Sequence, residues 1–343
     1  MGKCASVSPQ ASPTVPVRIG PHTLANPVLL APMSGVTDAA FRRLALGHGA
    51  GLVITEMIAS EQLATAGFKA RRKAAGADCK PFVIQLVGCE ARWMGEGARA
   101  AQELGAGIID INMGCPAREV TGKLSGSALM RDLDHAAALV EAVVGAVTVP
   151  VTLKMRLGWD QASLNAVRLA RRAEAAGVQL LTVHARTRCQ FFNGSADWSL
   201  VRAVKEQVRI PVVINGDIVD PASAQKALAA SGADAVMIGR GAYGAPWMLG
   251  RVAAVLTGAN DPGPPSLAMQ GAIATAHVEA ILEQDGQALG VRNARKHIGW
   301  YLAASGRPAE PVKAWRRRLC TTDDPRAVLA GLAAFYGEAQ EAA

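Results

Sequence analysis

The feature that most constrains this chain is a rhythm. Eight short apolar runs recur through its first three quarters: Val28–Ala31, Leu52–Thr55, Phe82–Leu86, Ile108–Ile111, Val151–Lys154, Leu180–His184, Val212–Asn215 and Ala235–Ile238. Each is nearly continuous in hydrophobics, the pattern of a strand buried on both faces. Alanine-rich stretches of helical spacing lie between them. Thr37-Asp38 ahead of Phe41, Leu44 and Ala45 reads as a capped amphipathic helix. Asn165 to Ala176 is closed by Gly177, and Asp220-Pro221 opens a further helix. Strand and helix alternating eight times predict an α/β fold of the (β/α)8 TIM-barrel type. An open doubly wound sheet is the alternative, and eight evenly spaced units favour the barrel.

The barrel is expected over residues 17–258, after a loose Ser/Pro/Val-rich tail at 1–16. Proline, glycine and asparagine crowd into 259–266 and mark a linker. Residues 267–343 show helical spacing without strand-like runs, so a small all-helical C-terminal domain follows. Half of the 343 residues are hydrophobic, enough for a sizeable core. No uncharged apolar run is long enough to span a bilayer, and the first residues lack the features of a signal peptide. A cytoplasmic monomer with no membrane partner is expected. The six cysteines, at 4, 79, 89, 115, 189 and 320, form no CxxC pair, so neither a metal nor a disulfide framework is expected.

Charge is unevenly spread. Residues 292–318 carry eight Lys/Arg against one Glu, so most of the net +8 sits in one stretch. Such a patch suits an anionic partner, although a solvated helix face carries charge in the same way. Arg292, Arg295, Lys296 and Trp300 fall three to four apart on one helix face. Cations interleaved with Trp300, Tyr301 and Trp315 suit RNA phosphates and bases, or cation–π packing against the barrel.

Barrel enzymes place their chemistry at the C-terminal ends of the strands. Those ends carry Met33, Glu56, Gln85, Asn112, Lys154, His184, Asn215 and Gly239-Arg240. Asn215-Gly216-Asp217 and Gly239-Arg240-Gly241 follow the last two strands, where barrels commonly bind phosphate. Lys154 suits a Schiff base, a reduced flavin ring, or an ion pair with Glu56 or Asp110. Gln85 offers a donor and an acceptor to a pyrimidine-like edge. Cys115, in the tight Asn112-Met113-Gly114-Cys115-Pro116 turn, is a candidate nucleophile or proton donor.

These residues stand in a familiar order. Ala31-Pro32-Met33-Ser34-Gly35-Val36-Thr37-Asp38, Asp110 to Pro116, Lys123 with Gly126 to Met130, Lys154-Met155-Arg156, His184-Ala185-Arg186-Thr187, Asn215-Gly216-Asp217 and Gly239-Arg240 resemble the tRNA-dihydrouridine synthases. Arg295-Lys296-His297 with Trp300-Tyr301 resembles the bacterial DusB type, which reduces uridine 17 of the D-loop. Departures are small: Ser34 stands where alanine is common, and Ala185 where glycine is common. The resemblance implies an FMN-dependent oxidoreductase that reduces the C5=C6 bond of a tRNA uridine, with NADPH or NADH as electron donor. Hydride would pass from reduced FMN to C6, and Cys115 would protonate C5. It further implies that Pro32, Met33, Ser34, Gln85, Lys154, His184, Asn215, Gly216, Asp217, Gly239 and Arg240 hold FMN. Asn112, Arg186, Arg295 and Lys296 would contact the tRNA. Three alternatives remain: a dihydroorotate- or dihydropyrimidine-type flavin enzyme, a Schiff-base aldolase, and a non-catalytic RNA-binding barrel.

Overall fold

In the computed structural model, residues 16–337 are described. The expected N-terminal tail, apart from Pro16, and residues 338–343 lie outside them. The described strands are β1 (Arg18–Ile19), β2 (His22–Thr23), β3 (Val28–Leu30), β4 (Leu52–Val53), β5 (Ile58–Ala59), β6 (Val83–Val87), β7 (Ile108–Met113), β8 (Val151–Arg156), β9 (Leu180–His184), β10 (Val212–Asn215) and β11 (Ala235–Ile238). From β3 onward they form one parallel sheet in the order β4-β3-β11-β10-β9-β8-β7-β6-β5.

The sheet closes through the stretch that joins β4 to β5. Thr55 N–H donates to Val83 O at 3.1 Å, and Thr55 Oγ1 accepts from Gln85 N–H at 2.9 Å. The second expected strand is therefore split. The Thr55 hydroxyl takes the amide that a continuous ladder would give to a backbone carbonyl. With this stretch included, the chain is a TIM barrel.

Period-two alternation decides which side chains enter the barrel. Leu29, Val83, Ile108, Leu180, Val213, Ala235 and Met237 point inward and form one core. Val28, Leu30, Ile84, Ile109, Leu153, Val183 and Ile214 point outward against the helices. The same parity carries Gln85, Asp110, Asn112, Lys154, His184 and Asn215 inward at the C-terminal end. The other end is plugged by the antiparallel pair β1–β2; its Ile19 and the flanking Val17 and Leu24 join the inner core. This hairpin was absent from the sequence reading, because two-residue strands leave no periodicity to detect.

The expected helix signals act as read. Asp38 caps the helix Ala39–Gly47 by accepting from Phe41 N–H. Asp220 and Ser223 form a capping box on Pro221–Ser231, with Pro221 in its first turn. Among the described residues, no helix is long and apolar enough to cross a membrane.

Past the linker come the helices Leu267–Asp285, Gln287–Ala304, Ala309–Leu319 and Pro325–Gly337. They share a core that also takes in Ala40, Ala245 and Trp247 of the barrel. Trp300 stacks on Tyr243 with ring centroids 3.9 Å apart and planes within 13°. Tyr301 is buried in the same core. Of the two readings open for these aromatics, the structure selects packing against the barrel for Trp300, while Trp315 packs edge-on to Phe335 within the helical domain.

Gly244 tests that docking. Its φ of +64° is left-handed, and a Cβ there would collide with the Trp300 carbonyl. Gly105, at φ +89°, has nothing within 4 Å of its own Cβ position. Gly105→Ala is expected to cost about 1 kcal/mol, the left-handed penalty alone. Gly244→Ala is expected to cost roughly 1–3 kcal/mol more, because the interface backbone must move. Urea unfolding of the two variants measures the difference; equal costs would show that the interface is not tight there.

Candidate active site

One cavity of about 710 Å³ opens at the C-terminal end of the barrel. That volume suits a cofactor-sized ligand. Pro32, Met33, Ser34, Gln85, Asn112, Cys115, Lys154, His184, Asn215, Gly216, Asp217, Gly239 and Arg240 all line it. Three residues proposed from sequence do not: Arg186, Arg295 and Lys296.

A buried polar ladder builds one wall. Thr152 Oγ1 donates to Asp110 Oδ1 at 2.5 Å, and Gln85 Nε2 donates to Asp110 Oδ2 at 2.6 Å. Gln85 Oε1 accepts from Asn112 Nδ2 at 2.8 Å. Asn112 Oδ1 then accepts from the Cys115 amide at 2.9 Å and the Gly114 amide at 3.2 Å. Three neighbouring strands thus fix the turn that presents Cys115. The ladder reads one way: Asp110 accepts, so the Gln85 amide must turn its oxygen to Asn112.

The Cys115 loop is braced from two further sides. Ser127 donates to the Cys115 carbonyl through its amide at 3.0 Å and its hydroxyl at 2.8 Å. Arg156 Nε donates to Gly114 O at 2.9 Å, while Nη1 donates to Thr187 O and Phe191 O, each at 2.8 Å. Burial pushes the Cys115 thiol up, against the Ala117 amide and the nearby cations Arg156 and Lys154. The sulfur is therefore held as a thiol at neutral pH, the form that donates a proton.

Lys154 Nζ donates to Asn215 Oδ1 at 3.2 Å, and Asn215 Nδ2 donates to Met237 O at 2.8 Å. Burial, helped by Arg156, pushes the Lys154 ammonium down to about 8; Asp110 opposes the shift. His184 is held well below its ordinary range by burial and by the cations Arg156, Lys154, Arg186 and Arg240. Its imidazole is neutral.

Arg186 is placed differently from the sequence expectation. It is 1% exposed and forms a bidentate pair with Asp217, at 2.9 and 2.5 Å. It also donates to Asn193 O and Gly194 O. Its guanidinium is spent holding Asp217 and the 193–194 turn. Asp217, at φ +53°, also accepts from Ala196 N–H at 2.8 Å. Burial raises its carboxyl, but the Arg186 pair, the Ala196 amide and Arg240 outweigh burial and keep it below the usual range.

Arg295 too is engaged within the protein, with Asp323 at 2.7 Å and Thr322 O at 3.3 Å. Lys296 sits at the junction between barrel and helical domain, where its charge acts on Asp38, His277 and His297. The exposed cations of the basic segment are Arg292, Lys313, Arg316, Arg317 and Arg318.

Sequence reasoning missed Arg156, Phe191, Phe192 and Tyr243 as cavity residues. Arg156 had a signal, since it lies two residues past Lys154 on the same face of β8. Phe191 adopts φ +52°, rare for a bulky side chain, and so aims its neighbour. Phe192 is 49% exposed, with Arg156 and Arg240 guanidinium carbons 5.4 and 4.9 Å from its ring centre.

The lysine makes a testable energetic claim. Its folded pKa lies near 8, against 10.5 for an ordinary lysine. Below pH 8 both folded and unfolded states carry the proton, and the folded state bears the full desolvation cost. Between about pH 8 and 10.5 only the unfolded state keeps the proton, so the cost fades as pH rises. Lys154→Met is expected to stabilise the ligand-free protein at pH 7, by roughly 1–3 kcal/mol, with the gain shrinking by pH 9.5. Urea unfolding at the two pH values decides; a gain that grows with pH would refute the assignment.

Residues 29–340 match the dihydrouridine synthase family model. The chain is 52% identical to a probable tRNA-dihydrouridine synthase of Rhodobacter capsulatus, covering 92% of this chain and 96% of that protein. It is 43% identical to tRNA-dihydrouridine synthase B of Pseudomonas putida, covering 95% and 96%. Among solved structures it resembles a 2-naphthoyl-CoA reductase (TM-score 0.55, 12% identity, 71% of this chain and 52% of that one). It also resembles a histamine dehydrogenase from Rhizobium sp. 4-9 (TM-score 0.54, 16% identity, 82% and 50%). Those two likenesses are of fold alone. The chain is an oxidoreductase that belongs to the dihydrouridine synthase family.

Proposed function

We propose that this enzyme reduces the C5=C6 bond of a D-loop uridine in tRNA, at position 17 as the DusB-type resemblance implies, using FMN and NADPH or NADH. The observation that carries the reading is Cys115, a thiol kept protonated beside one cavity shared with the Lys154 ammonium.

The lining fits FMN. Lys154 has a neutral amide oxygen as its hydrogen-bond partner, so its cation remains free to meet the electron-rich edge of a flavin ring. Gly239 leaves the backbone open beside Met33, its Cβ position lying 3.6 Å from Met33 Sδ. Arg240, half exposed, can reach a phosphate. In this reading Pro32, Met33 and Ser34 form one wall, and Gln85, Lys154 and His184 meet the ring. Asn215, Gly216, Asp217, Gly239 and Arg240 hold the ribityl chain and the phosphate. When bound, the flavin supplies the electron pair, drawn in turn from the nicotinamide.

The rest belongs to the chain. Lys154 keeps a positive charge beside the ring. A uridine must leave its stack to enter the cavity, and Phe192 offers an exposed aromatic face between two guanidiniums to receive it. Asn112 holds the Cys115 turn, and Cys115 Sγ delivers its proton to C5. The thiolate left behind is stabilised by Arg156 and Lys154 until solvent reprotonates it. The tRNA body docks by its phosphates on the exposed cations of the helical domain rather than on Arg295, whose charge is already paired.

Two outcomes test this reading. Cys115→Ala is expected to retain bound flavin and NADPH oxidation while dihydrouridine formation falls about 10²–10⁴-fold; undiminished product would end the proton-donor assignment. Replacing Arg316, Arg317 and Arg318 together by alanine is expected to weaken tRNA binding and flatten its salt dependence by on the order of two to three charges. Filter binding across salt concentrations measures this, and an unchanged slope would move the docking face elsewhere.

A further inference from the structure

Outside the cavity, three potential ligand atoms converge where the barrel meets the helical domain. Asp38 caps the first barrel helix, His277 lies on Leu267–Asp285 and His297 lies on Gln287–Ala304. One atom from each lies within 4.8 Å of the others. The two histidines are 2% and 1% exposed. His277 Nε2 and both ring nitrogens of His297 are buried without a hydrogen-bond partner. A buried polar atom without a partner is costly, so three in one place call for an occupant.

We propose that Asp38, His277 and His297 bind a divalent first-row cation of the zinc class, as a site separate from the flavin cavity. The donor set, two imidazoles and a carboxylate, suits such an ion. His277 Nδ1 lies 3.0 Å from the Tyr301 hydroxyl, and with Nδ1–H donating to that oxygen Nε2 is left free to ligate. A partner on the far ring nitrogen is the usual mark of a metal-bound histidine. Asp38 spends one carboxylate oxygen on Phe41 N–H and keeps the other available. The charged groups acting on Asp38 include the carboxylates Glu56 and Asp285 and the cations Lys296 and Arg42, so its own carboxylate is the charge offered to the ion. Phe41 and Trp300 close the site, with ring centres 5.7 and 5.2 Å from that of His297. Bonds of about 2.1 Å place ligand atoms about 3.4 Å apart, so the rings need to close by roughly an ångström. The ion would fasten the Met33–Asp38 loop, a wall of the cavity, to the helical domain. The expectation of no metal from cysteine spacing does not bear on a site built without cysteine.

The test uses untagged full-length protein, expressed with added zinc and purified without chelator. Elemental analysis is expected to find about one equivalent of divalent metal in the wild type. Less than about a tenth is expected in Asp38→Asn and in His297→Gln. Asn at position 38 keeps the helix cap, so Asp38→Asn is expected to fold as the wild type does. X-ray absorption at the metal edge is expected to show two imidazole ligands. Less than a tenth of an equivalent in the wild type would overturn the proposal, as would equal metal in folded Asp38→Asn. Flavin content, read separately from absorbance, is independent of either result.

Discussion

Arg156 is the brace on which the geometry of the mouth depends. It lies 1% exposed at the end of β8, and it gives its N–H groups to three carbonyls on two different loops. Burial lowers its guanidinium to about 10, so it stays charged at neutral pH. A buried charge of this kind is tolerable only when it is hydrogen-bonded, and the two loops supply acceptors to Nε and Nη1. The need runs both ways. The Gly114, Thr187 and Phe191 carbonyls gain a charged donor in return. One side chain therefore fixes the Cys115 turn and the Phe191–Phe192 turn against the same rigid strand. Arg186 repeats the device one strand further on, for Asp217 and the 193–194 turn.

That device explains what the sequence revealed and what it hid. Parallel strands buried on both faces leave near-continuous apolar runs, so all eight barrel positions could be read. The C-terminal ends of β9, β10 and β11 fall where the runs end, at His184, Asn215 and Ile238, but those of two central strands do not. β7 runs to Met113 and β8 to Arg156, two residues beyond the apolar runs, because the strand tips carry the polar ladder. Hydropathy stops where function starts. Position at the ends of the runs, by contrast, was sufficient to single out Gln85, Asn112 and Lys154, which the structure places on the cavity. Arg186 shows the limit of such reasoning. Its residue type and position suited substrate, and only the coordinates reveal that Asp217 and two carbonyls already occupy its donors. The aromatic residues of the basic segment were ambiguous for a similar reason, since a tryptophan that stacks on RNA and one that stacks on Tyr243 look alike in sequence.

The helical domain is tied into the site through this packing. Tyr243 lines the cavity and stacks on Trp300, which in turn packs edge-on against His297. On the barrel side, Met33 N–H bonds to Thr37 Oγ1, and Gly35 N–H bonds to Glu56, fixing the loop that ends at the Asp38 cap. A cavity wall and the domain junction are therefore one continuous piece of structure, and movement at either is felt by the other.

Electrostatics then decides what Cys115 can be. Lys154, Arg156, Arg186 and Arg240 surround the mouth, and its carboxylates are the buried Asp110 and the partly exposed Asp217, the latter held by Arg186. A thiol among cations normally loses its proton more readily and becomes a nucleophile. Here burial is the larger effect and the thiol is held up. The two influences respond differently as the cavity fills. A ligand that displaces water deepens the burial of the sulfur, while an anion on Lys154 cancels part of the cationic pull. In the proposed reaction both changes would strengthen the hold on the proton until a carbanion basic enough to take it forms, and the same cations would then stabilise the thiolate left behind. The surrounding charges thus act on the product of proton transfer more than on the resting thiol, which suits a proton donor and argues against a resting nucleophile.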